Sequence, residues 1–206
     1  MSKIKFFIQQ SWLLIVAAFC FGLLIAVTNA ALDPMIKQNE KDKLNTLMSQ
    51  LITDANTFEV AVQDAVVEGS KGKQLKTTIY KALDDNGQTV GFAFIAIGPG
   101  FADKIKLVIA TDRKSEKFFG FKVLASNETP GFGDRIKYDY FQNQFKLAPT
   151  GNIELSKVGD AGQIDSRIIA ISGATVSSDA VVNIFNTYTD TIKQTLQRQG
   201  FIDNGK

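Results

Sequence analysis

Residues 75–97 read LKTTIYKALDDNGQTVGFAFIAI and contain a β-hairpin pattern. Two runs rich in β-branched and aromatic residues, 75–83 and 90–97, flank the polar segment Asp85-Asn86-Gly87. An Asn-Gly pair supplies the positive φ angles that a tight hairpin turn needs. The stretch therefore predicts two antiparallel strands joined by a short turn.

Further strands are predicted on the C-terminal side of this hairpin. Residues 104–110 and 118–125 are apolar enough for strands, and the polar segment 111–115 between them is typical of a turn. Residues 58–62, which precede the hairpin, alternate only weakly. The two hairpin strands and the strands at 104–110 and 118–125, joined in chain order, predict an antiparallel sheet.

Helices are predicted around this sheet. Residues 134–147 are predicted to be helical, and residues 149–163 are predicted to be a loop because of Pro149 and three glycines. Ser177 or Ser178 is the predicted N-cap of a closing helix. The apolar face of that helix consists of Val181, Ile184, Phe185, Tyr188, Ile192 and Leu196. The predicted fold class is α+β, with helices covering one side of an antiparallel sheet.

The N-terminal segment has the pattern of a membrane anchor. Residues 6–32 carry no charge, and residues 12–27 are an unbroken apolar run, so roughly 20 residues are available to cross a bilayer as a helix. Lys3 and Lys5 precede the run, which by the positive-inside rule places the N-terminus in the cytoplasm. We therefore predict a single-pass protein of the inner (cytoplasmic) membrane, with its C-terminal domain on the extracytoplasmic, periplasmic side.

A cleaved signal peptide is the alternative interpretation, because Thr28-Asn29-Ala30 resembles a small-residue cleavage site. Under the anchor interpretation, residues 1–32 form a cytoplasmic stub and transmembrane anchor. Residues 33–56 form a juxtamembrane helix, and residues 57–206 form the extracytoplasmic domain. The apolar face of the juxtamembrane helix consists of Leu44, Leu47, Met48, Leu51 and Ile52.

Composition excludes several kinds of active site. The chain has no histidine, and its single cysteine is Cys20, inside the apolar run. Catalytic triads, histidine-ligated haem, the usual zinc sites and cysteine-held iron–sulfur clusters are therefore excluded, and no catalytic or metal-binding residue is predicted. Residues 33–206 carry 21 acidic and 21 basic side chains, which gives no electrostatic footprint for nucleic acid. Any redox chemistry would require an organic cofactor.

One candidate binding loop is the segment Glu128-Thr129-Pro130-Gly131-Phe132-Gly133-Asp134, between the last strand and a helix. Two glycines let the main chain approach a flat ring closely, while Glu128 and Thr129 offer hydrogen-bonding groups. The alternative is an ordinary strand-to-helix turn capped by Asp134.

The second candidate loop, ISGATVSS at residues 171–178, opens the closing helix. Exposed N–H groups and the positive end of the helix dipole favour a phosphate there. The segment has no lysine and is not a Walker motif. Its alternative interpretation is a capping region without a ligand. The candidate ligand-binding residues of this loop are Ser172, Gly173, Ala174, Thr175 and Ser177.

Taken together with Gly98-Pro99-Gly100-Phe101, the two loops behind one anchor resemble the covalent FMN-binding domain family. This domain occurs in the G subunit of the Rnf-type ion-translocating ferredoxin:NAD oxidoreductase and in the related C subunit of the sodium-pumping NADH:quinone oxidoreductase. The short length of the chain favours the Rnf-type relative over the longer sodium-pump one.

The resemblance implies a flavin site. In the family, a flavin transferase attaches FMN through its phosphate to a threonine or serine hydroxyl, which by position is Thr175. The loop that borders the isoalloxazine ring corresponds to Glu128, Thr129, Pro130 and Gly131. The family usually has an aspartate six positions before the modified threonine, where this chain has Ile169. Asp165 lies four residues further upstream.

The resemblance also implies a function: an electron-carrying flavoprotein subunit without a complete active site of its own. Its partners would be the other membrane subunits and the iron–sulfur and flavin subunits of an Rnf-like complex, with a flavin transferase for maturation. Two alternatives remain at this point. One is a stand-alone extracytoplasmic FMN electron carrier or reductase module, and the other is a non-redox anchored binding domain.

Overall fold

The computed structural model describes residues 2–69, 72 and 74–203, with side chains described from residue 11 onward within these ranges. A long N-terminal helix precedes an antiparallel sheet with packed helices, which confirms the predicted α+β class. The side chains of Lys3 and Lys5, on which the predicted membrane orientation depends, lie outside the described part. The chain divides into two compact units, Met1–Lys43 and Leu44–Lys206.

The N-terminal helix, α1, spans Ser2–Leu51 without a break and contains Pro34. In the described part of the chain, Ser11–Leu51 is the one helical segment long and apolar enough to cross a membrane, with a mean hydropathy of 2.4 over its best window. The helix predicted over residues 33–56 is the continuation of this same helix, and it ends at Leu51.

The main sheet, as described, has five strands in chain order, and each pairs antiparallel with the next. The four strands predicted from the sequence are present as β2 to β5, and residues 58–62 lie in β1. The strands are β1 (Thr57–Glu68), β2 (Gln74–Leu83), β3 (Thr89–Pro99), β4 (Lys104–Asp112) and β5 (Phe118–Ala125).

The weak alternation of residues 58–62 results from bulges in β1. Its pairing with β2 shifts register between Val60 and Val62 and again between Val62 and Ala65, and Asp64 has a φ of 53°. Each irregularity interrupts the two-residue periodicity of side chains. Since β1 is an edge strand, these bulges also make it a poor template for pairing with another chain.

The β2–β3 turn differs in detail from the prediction. Gly87 has a φ of +73°, but Asn86 has a negative φ, so the Asn-Gly pair supplies one positive φ angle rather than two. The Asp84 carboxylate accepts the N–H groups of Asn86 and Gln88 at 2.9 and 2.8 Å. The loop is therefore longer than a two-residue turn and is held by an aspartate side chain.

Both faces of the sheet are covered, so the expectation of helices on one side was wrong. In β3, Phe92 and Phe94 pack in the larger core, while Ala93 and Ile95 pack on the opposite face. That opposite face contacts the last turns of α1, through Leu44, Met48 and Leu51. The continuous apolar run of β3 is the pattern expected for a strand buried on both sides.

The elements that follow β5 cover the larger core. The predicted helix at 134–147 is three short pieces: a 3₁₀ helix at Gly133–Lys137, α2 at Asp139–Gln142 and a 3₁₀ helix at Asn143–Phe145. The predicted loop at 149–163 contains a short strand, β6 (Glu154–Ser156), which pairs parallel with β7 (Arg167–Ile169).

The closing helix, α3, spans Thr175–Arg198. Its six predicted apolar positions are all buried, which confirms the predicted face. Phe185 lies at the centre of the larger core, with its ring centroid 4.9 Å from that of Phe118, 5.5 Å from that of Phe121 and 4.6 Å from that of Phe145. This packing fixes the position of the N-terminus of α3 relative to the sheet.

Candidate cofactor-binding site

Three loops meet at one edge of the sheet and form a cleft of about 500 Å³. The β3–β4 turn and the end of β5 lie at the same edge because β4 is antiparallel to both of its neighbours. The loop that enters α3 completes the cleft. Its lining residues are Phe101, Thr129, Phe132, Gly133, Gly173, Ala174, Thr175, Val176 and Ser177.

Helix α3 begins earlier than predicted. Thr175 is its first residue, and Ala174 is the N-cap residue, which offers no side-chain hydrogen bond to the first turn. The prediction of Ser177 or Ser178 as N-cap was therefore wrong. Ser178 lies within the first turn, where its hydroxyl donates to the Ala174 carbonyl and accepts the Ile171 N–H, both at 3.0 Å.

The consequence is a helix N-terminus without a cap. The first N–H groups of an α-helix have no intrahelical partner, and here the N-cap residue Ala174 supplies no side-chain hydrogen bond in place of one. Gly173 has a φ of +79°, which turns the chain sharply into the helix. Thr175 is half-buried at this position, with its residue lining the cleft. Such a terminus suits an anionic group, because the dipole and the free N–H groups act together.

Two exposed phenyl rings are the largest apolar side chains that line the cleft. Phe101 is 67% exposed and Phe132 is 57% exposed, which is unusual for side chains of this size. A Cβ atom at Gly173 would lie 3.6 Å from Cδ1 of Phe132, so this ring already packs against the loop that enters α3. Neither phenylalanine was among the predicted site residues, although both lie in the glycine-containing segments that carried the resemblance.

Glu128 lies beneath the cleft rather than in its lining. Its carboxylate accepts the Ala102 N–H on Oε1 at 3.0 Å and the Ser177 hydroxyl on Oε2. Glu128 is 4% exposed and Ser177 is 3% exposed. The carboxylate thus connects the β3–β4 turn to the first turn of α3.

The predicted site residues are distributed as follows. Five of them line the cleft: Thr129, Gly173, Ala174, Thr175 and Ser177. Pro130, Gly131 and Ser172 are exposed outside its lining, and Gly131 has a φ of +76°. Asp134 is the second residue of the 3₁₀ helix, whose N-cap residue is Phe132. One of its carboxylate oxygens, Oδ1, is buried without a partner among the described residues.

A second contact between the same loops lies at the surface. The Asn127 side-chain amide donates to Asp103 Oδ2 at 3.1 Å. The backbone N–H of Lys104 and the Asn127 amide hold the pKa of the Asp103 carboxyl below its usual value, because both hydrogen bonds favour the charged form. The β3–β4 turn is therefore bound to the segment after β5 at two points.

Ile169, where the resembling family has an aspartate, is fixed in β7. Its backbone N–H donates to Gln144 Oε1 at 2.7 Å, and its carbonyl accepts from Gln144 Nε2 at 3.2 Å. Asp165 Oδ1 accepts the Arg167 N–H at 2.6 Å. A slip that brought Asp165 to the Ile169 position would break these bonds and the β6–β7 pairing.

Comparison with known proteins gives consistent matches. Residues 100–190, which include every residue that lines the cleft, match the FMN-binding domain family. The chain is 29% identical over 179 residues to the G subunit of an ion-translocating oxidoreductase complex from Methanosarcina acetivorans, covering 87% of this chain and 90% of the relative. It is 30% identical over 176 residues to the protein of the same name in Shewanella piezotolerans, covering 81% of this chain and 80% of the relative.

Among solved structures, NqrC of Shewanella oneidensis resembles this fold, with a TM-score of 0.56 at 20% sequence identity. The alignment covers 71% of this chain and 73% of that chain. At this level of identity the likeness concerns the fold alone. A crystal structure therefore exists for a domain with the same general α+β architecture.

Proposed function

The chain belongs to the family of G subunits of ion-translocating oxidoreductase complexes, and from this membership we propose that it is a membrane-anchored flavoprotein that carries electrons on FMN within such a complex. The observation that supports this function most directly is the position of Thr175. It is the first residue of an uncapped helix and lines a cleft that also contains two exposed phenyl rings.

The residues of the cleft fit the two ends of FMN. The first turn of α3 offers free N–H groups and a positive dipole end to the phosphate. Phe101 and Phe132 offer apolar faces to the flat ring system, and the cleft volume of about 500 Å³ lies in the usual range for small-molecule sites. When bound, FMN supplies the redox chemistry, for which this chain has no histidine and only Cys20.

We also propose that the FMN is covalently attached to Thr175. A flavin transferase would form a bond between Thr175 Oγ and the phosphorus of an activated flavin nucleotide. The bond from that phosphorus to its leaving group would break, and the hydroxyl proton would be lost. The net addition is one FMN minus one water. The covalent bond would prevent loss of the cofactor by diffusion into the surrounding compartment. The Thr175 oxygen would hold the cofactor and take no part in turnover.

The mass of the intact chain tests both levels of this proposal. The full chain, produced in a host with a flavin transferase, is expected to exceed its sequence mass by one FMN minus water. Thr175→Ala should abolish the increment, while the control Ser172→Ala, in an exposed hydroxyl of the same loop, should retain it. An unmodified mass with bound flavin would contradict the covalent link alone. A colourless, flavin-free native chain would contradict the electron-carrying function.

The proposed location is the inner (cytoplasmic) membrane, with the C-terminal domain on the extracytoplasmic, periplasmic side. The apolar part of α1 and the two lysines before it support this orientation. A cysteine introduced by Glu154→Cys, at an exposed position in a Cys20→Ala chain, should react in intact cells with a maleimide that does not cross the inner membrane. Labelling only after lysis would reverse the orientation.

The proposed partners are the other membrane subunits and the iron–sulfur and flavin subunits of such a complex. A single spanning helix in the described residues leaves ion movement to subunits with several spans. Confinement to the same membrane raises the effective concentration of this domain beside them. The full chain should therefore co-purify from native membranes with several subunits, whereas recovery as a lone flavoprotein would favour a stand-alone carrier.

A further inference from the structure

The Glu128 carboxylate has the geometry of an internal connection rather than of a ligand contact. One of its oxygens accepts the Ala102 N–H at 3.0 Å, and the other accepts the Ser177 hydroxyl. Glu128 and Ser177 are almost completely buried. Both oxygens are therefore engaged inside the fold, and Glu128 is not among the residues that line the cleft.

Two glycines leave the space that this carboxylate occupies. A Cβ atom at Gly100 would lie 2.5 Å from Glu128 Oε1, and one at Gly133 would lie 2.7 Å from Oε2 and 2.6 Å from Ser177 Oγ. Both positions have ordinary backbone conformations, so glycine is needed there for the close approach and not for its φ angle. The glycines of both loops are therefore spaced around one carboxylate.

Each segment that contacts the Glu128 carboxylate also contains residues that line the cleft. Ala102 follows Phe101, Gly133 follows Phe132, and Ser177 lies two residues after Thr175. The carboxylate thus joins the two phenyl rings to the helix turn that bears the attachment hydroxyl. Without it, the β3–β4 turn and the first turn of α3 would lose the hydrogen bonds that connect them through residue 128.

We propose that Glu128 is a positioning residue that fixes the phenyl rings relative to the N-terminus of α3 and does not touch the flavin. This inference rests on the proposed function, since it concerns the same cleft. It assigns to Glu128 a role different from the ring contact that the family resemblance implied. Geometry, and not negative charge, is the property that this role requires.

The test compares Glu128→Ala with Glu128→Gln in the full chain, with Glu154→Gln at an exposed position of β6 as the control. Each is made with Thr175→Ala, so that FMN binding is reversible. Glutamine can still accept the Ala102 N–H on its oxygen, and it can donate to Ser177 Oγ from its nitrogen. Alanine removes both bonds.

Two readouts are taken. In the FMN-free chain, hydrogen exchange at the Ala102 amide should accelerate at least tenfold in Glu128→Ala and stay close to the parent in Glu128→Gln. In the FMN-bound chain, Glu128→Ala should weaken FMN binding about tenfold and increase the quenching of flavin fluorescence by iodide, while Glu128→Gln should restore both.

The outcomes separate the two proposals. Unchanged exchange at Ala102, or FMN binding and quenching equal to the parent in Glu128→Ala, would overturn the positioning role while leaving the flavin site intact. Loss of binding in Glu128→Gln as severe as in Glu128→Ala would overturn it as well, because charge would then matter rather than geometry. A chain with Thr175 intact that carries no flavin would instead contradict the proposed function, and the exchange experiment would still report on the contact.

If Glu128→Ala does not fold, Ser177→Ala provides the second variant. It removes one hydrogen bond and keeps the carboxylate and the Ala102 contact. It should weaken FMN binding and increase iodide quenching without accelerating exchange at Ala102 to the same extent. Binding and quenching equal to the parent in Ser177→Ala would overturn the inference.

Discussion

Gly131 and Gly133 lie in the same loop but are required for different physical reasons, and substitution of each should separate these reasons. Gly131 has a φ of +76° and open space where a Cβ would stand. Gly133 has no positive φ, but a Cβ there would lie 2.6 Å from Ser177 Oγ, 2.7 Å from Glu128 Oε2 and 2.9 Å from Glu128 Cβ. The first is a conformational requirement and the second is a steric one.

The expected costs follow from these contacts. Overpacking a well-packed site costs about 1–3 kcal/mol, and the added Cβ would also loosen the hydrogen bond between Ser177 and Glu128, so we expect the upper end of this range, about 3 kcal/mol, for Gly133→Ala. Gly131→Ala should cost about 1.5 kcal/mol, the penalty of one L-residue in the left-handed region. At about 2–4 °C per kcal/mol for a domain of this size, Tm should fall by about 6–12 °C and about 3–6 °C respectively.

Asparagine variants sharpen the comparison. Asn tolerates the left-handed region, so Gly131→Asn should recover most of the stability that Gly131→Ala loses. Gly133→Asn carries the same Cβ with a larger side chain and should be at least as destabilised as Gly133→Ala. The assay is calorimetry of the full chain in detergent, in the FMN-free Thr175→Ala form, since bound ligand would mask the difference. A Gly133→Ala chain as stable as its parent, or recovery in Gly133→Asn, would refute the steric reasoning.

Three further outcomes are expected. Phe185→Ala, at the centre of the ring cluster, should cost about 3–5 kcal/mol by calorimetry of the same form, and a loss below about 1 kcal/mol would mean that the core closes over the gap. Phe132→Ala should change the free energy of unfolding by less than about 0.5 kcal/mol, because the ring is mostly exposed. It should weaken FMN binding about 2–10-fold in a fluorescence titration, because ring stacking worth about 0.5–1.5 kcal/mol is lost. An affinity for FMN equal to that of the parent would exclude contact between Phe132 and the flavin ring. Because the folded-state pKa of Asp103 is lowered, this carboxylate contributes stability above its usual pKa of 3.8, which is lost as pH falls through the folded value. Asn127→Ala should raise the pKa of Asp103 towards 3.8 in an NMR titration, and an unchanged pKa would show that the Asn127 bond is not formed in solution.

The sequence predicts those parts of the molecule that depend on local periodicity. The apolar face of α3 follows from a side-chain pattern with a period of 3.6 residues, and strands β2 to β5 follow from short apolar, β-branched and aromatic runs bounded by turn residues. Strand β1 gives a weak pattern because its bulges interrupt the alternation. Residues 134–147, with the aromatics Tyr138, Phe141 and Phe145, were predicted to be helical, and the structure divides them into three short helical pieces in which Phe141 and Phe145 are buried.

The start of α3 and the residues around the cleft depend on contacts that local patterns do not contain. Hydroxyl residues at 177 and 178 suggested an N-cap, but Ser177 bonds to a glutamate 49 positions away and Ser178 closes the loop in front of the helix. Phe101 and Phe132 have no periodic neighbours that would mark them as exposed. Only the three-dimensional meeting of the loops places these residues together.

The same contacts bear on how a transferase would find Thr175. The backbone of Ile169 is hydrogen-bonded to both polar atoms of the Gln144 side-chain amide. The Ile169 side chain packs closely against Gly159, where an added Cβ would lie 2.7 Å from Ile169 Cδ1. The Asp165 carboxylate accepts the N–H of Arg167, the first residue of β7, so the strand cannot slide to present this carboxylate without losing that bond and its pairing. We therefore expect a transferase to recognise Thr175 through the uncapped helix turn and the cleft. In that case Ile169→Asp should increase the rate of flavin attachment without being required for it, whereas displacement of the helix turn by Gly133→Ala should slow attachment even though Thr175 is unchanged.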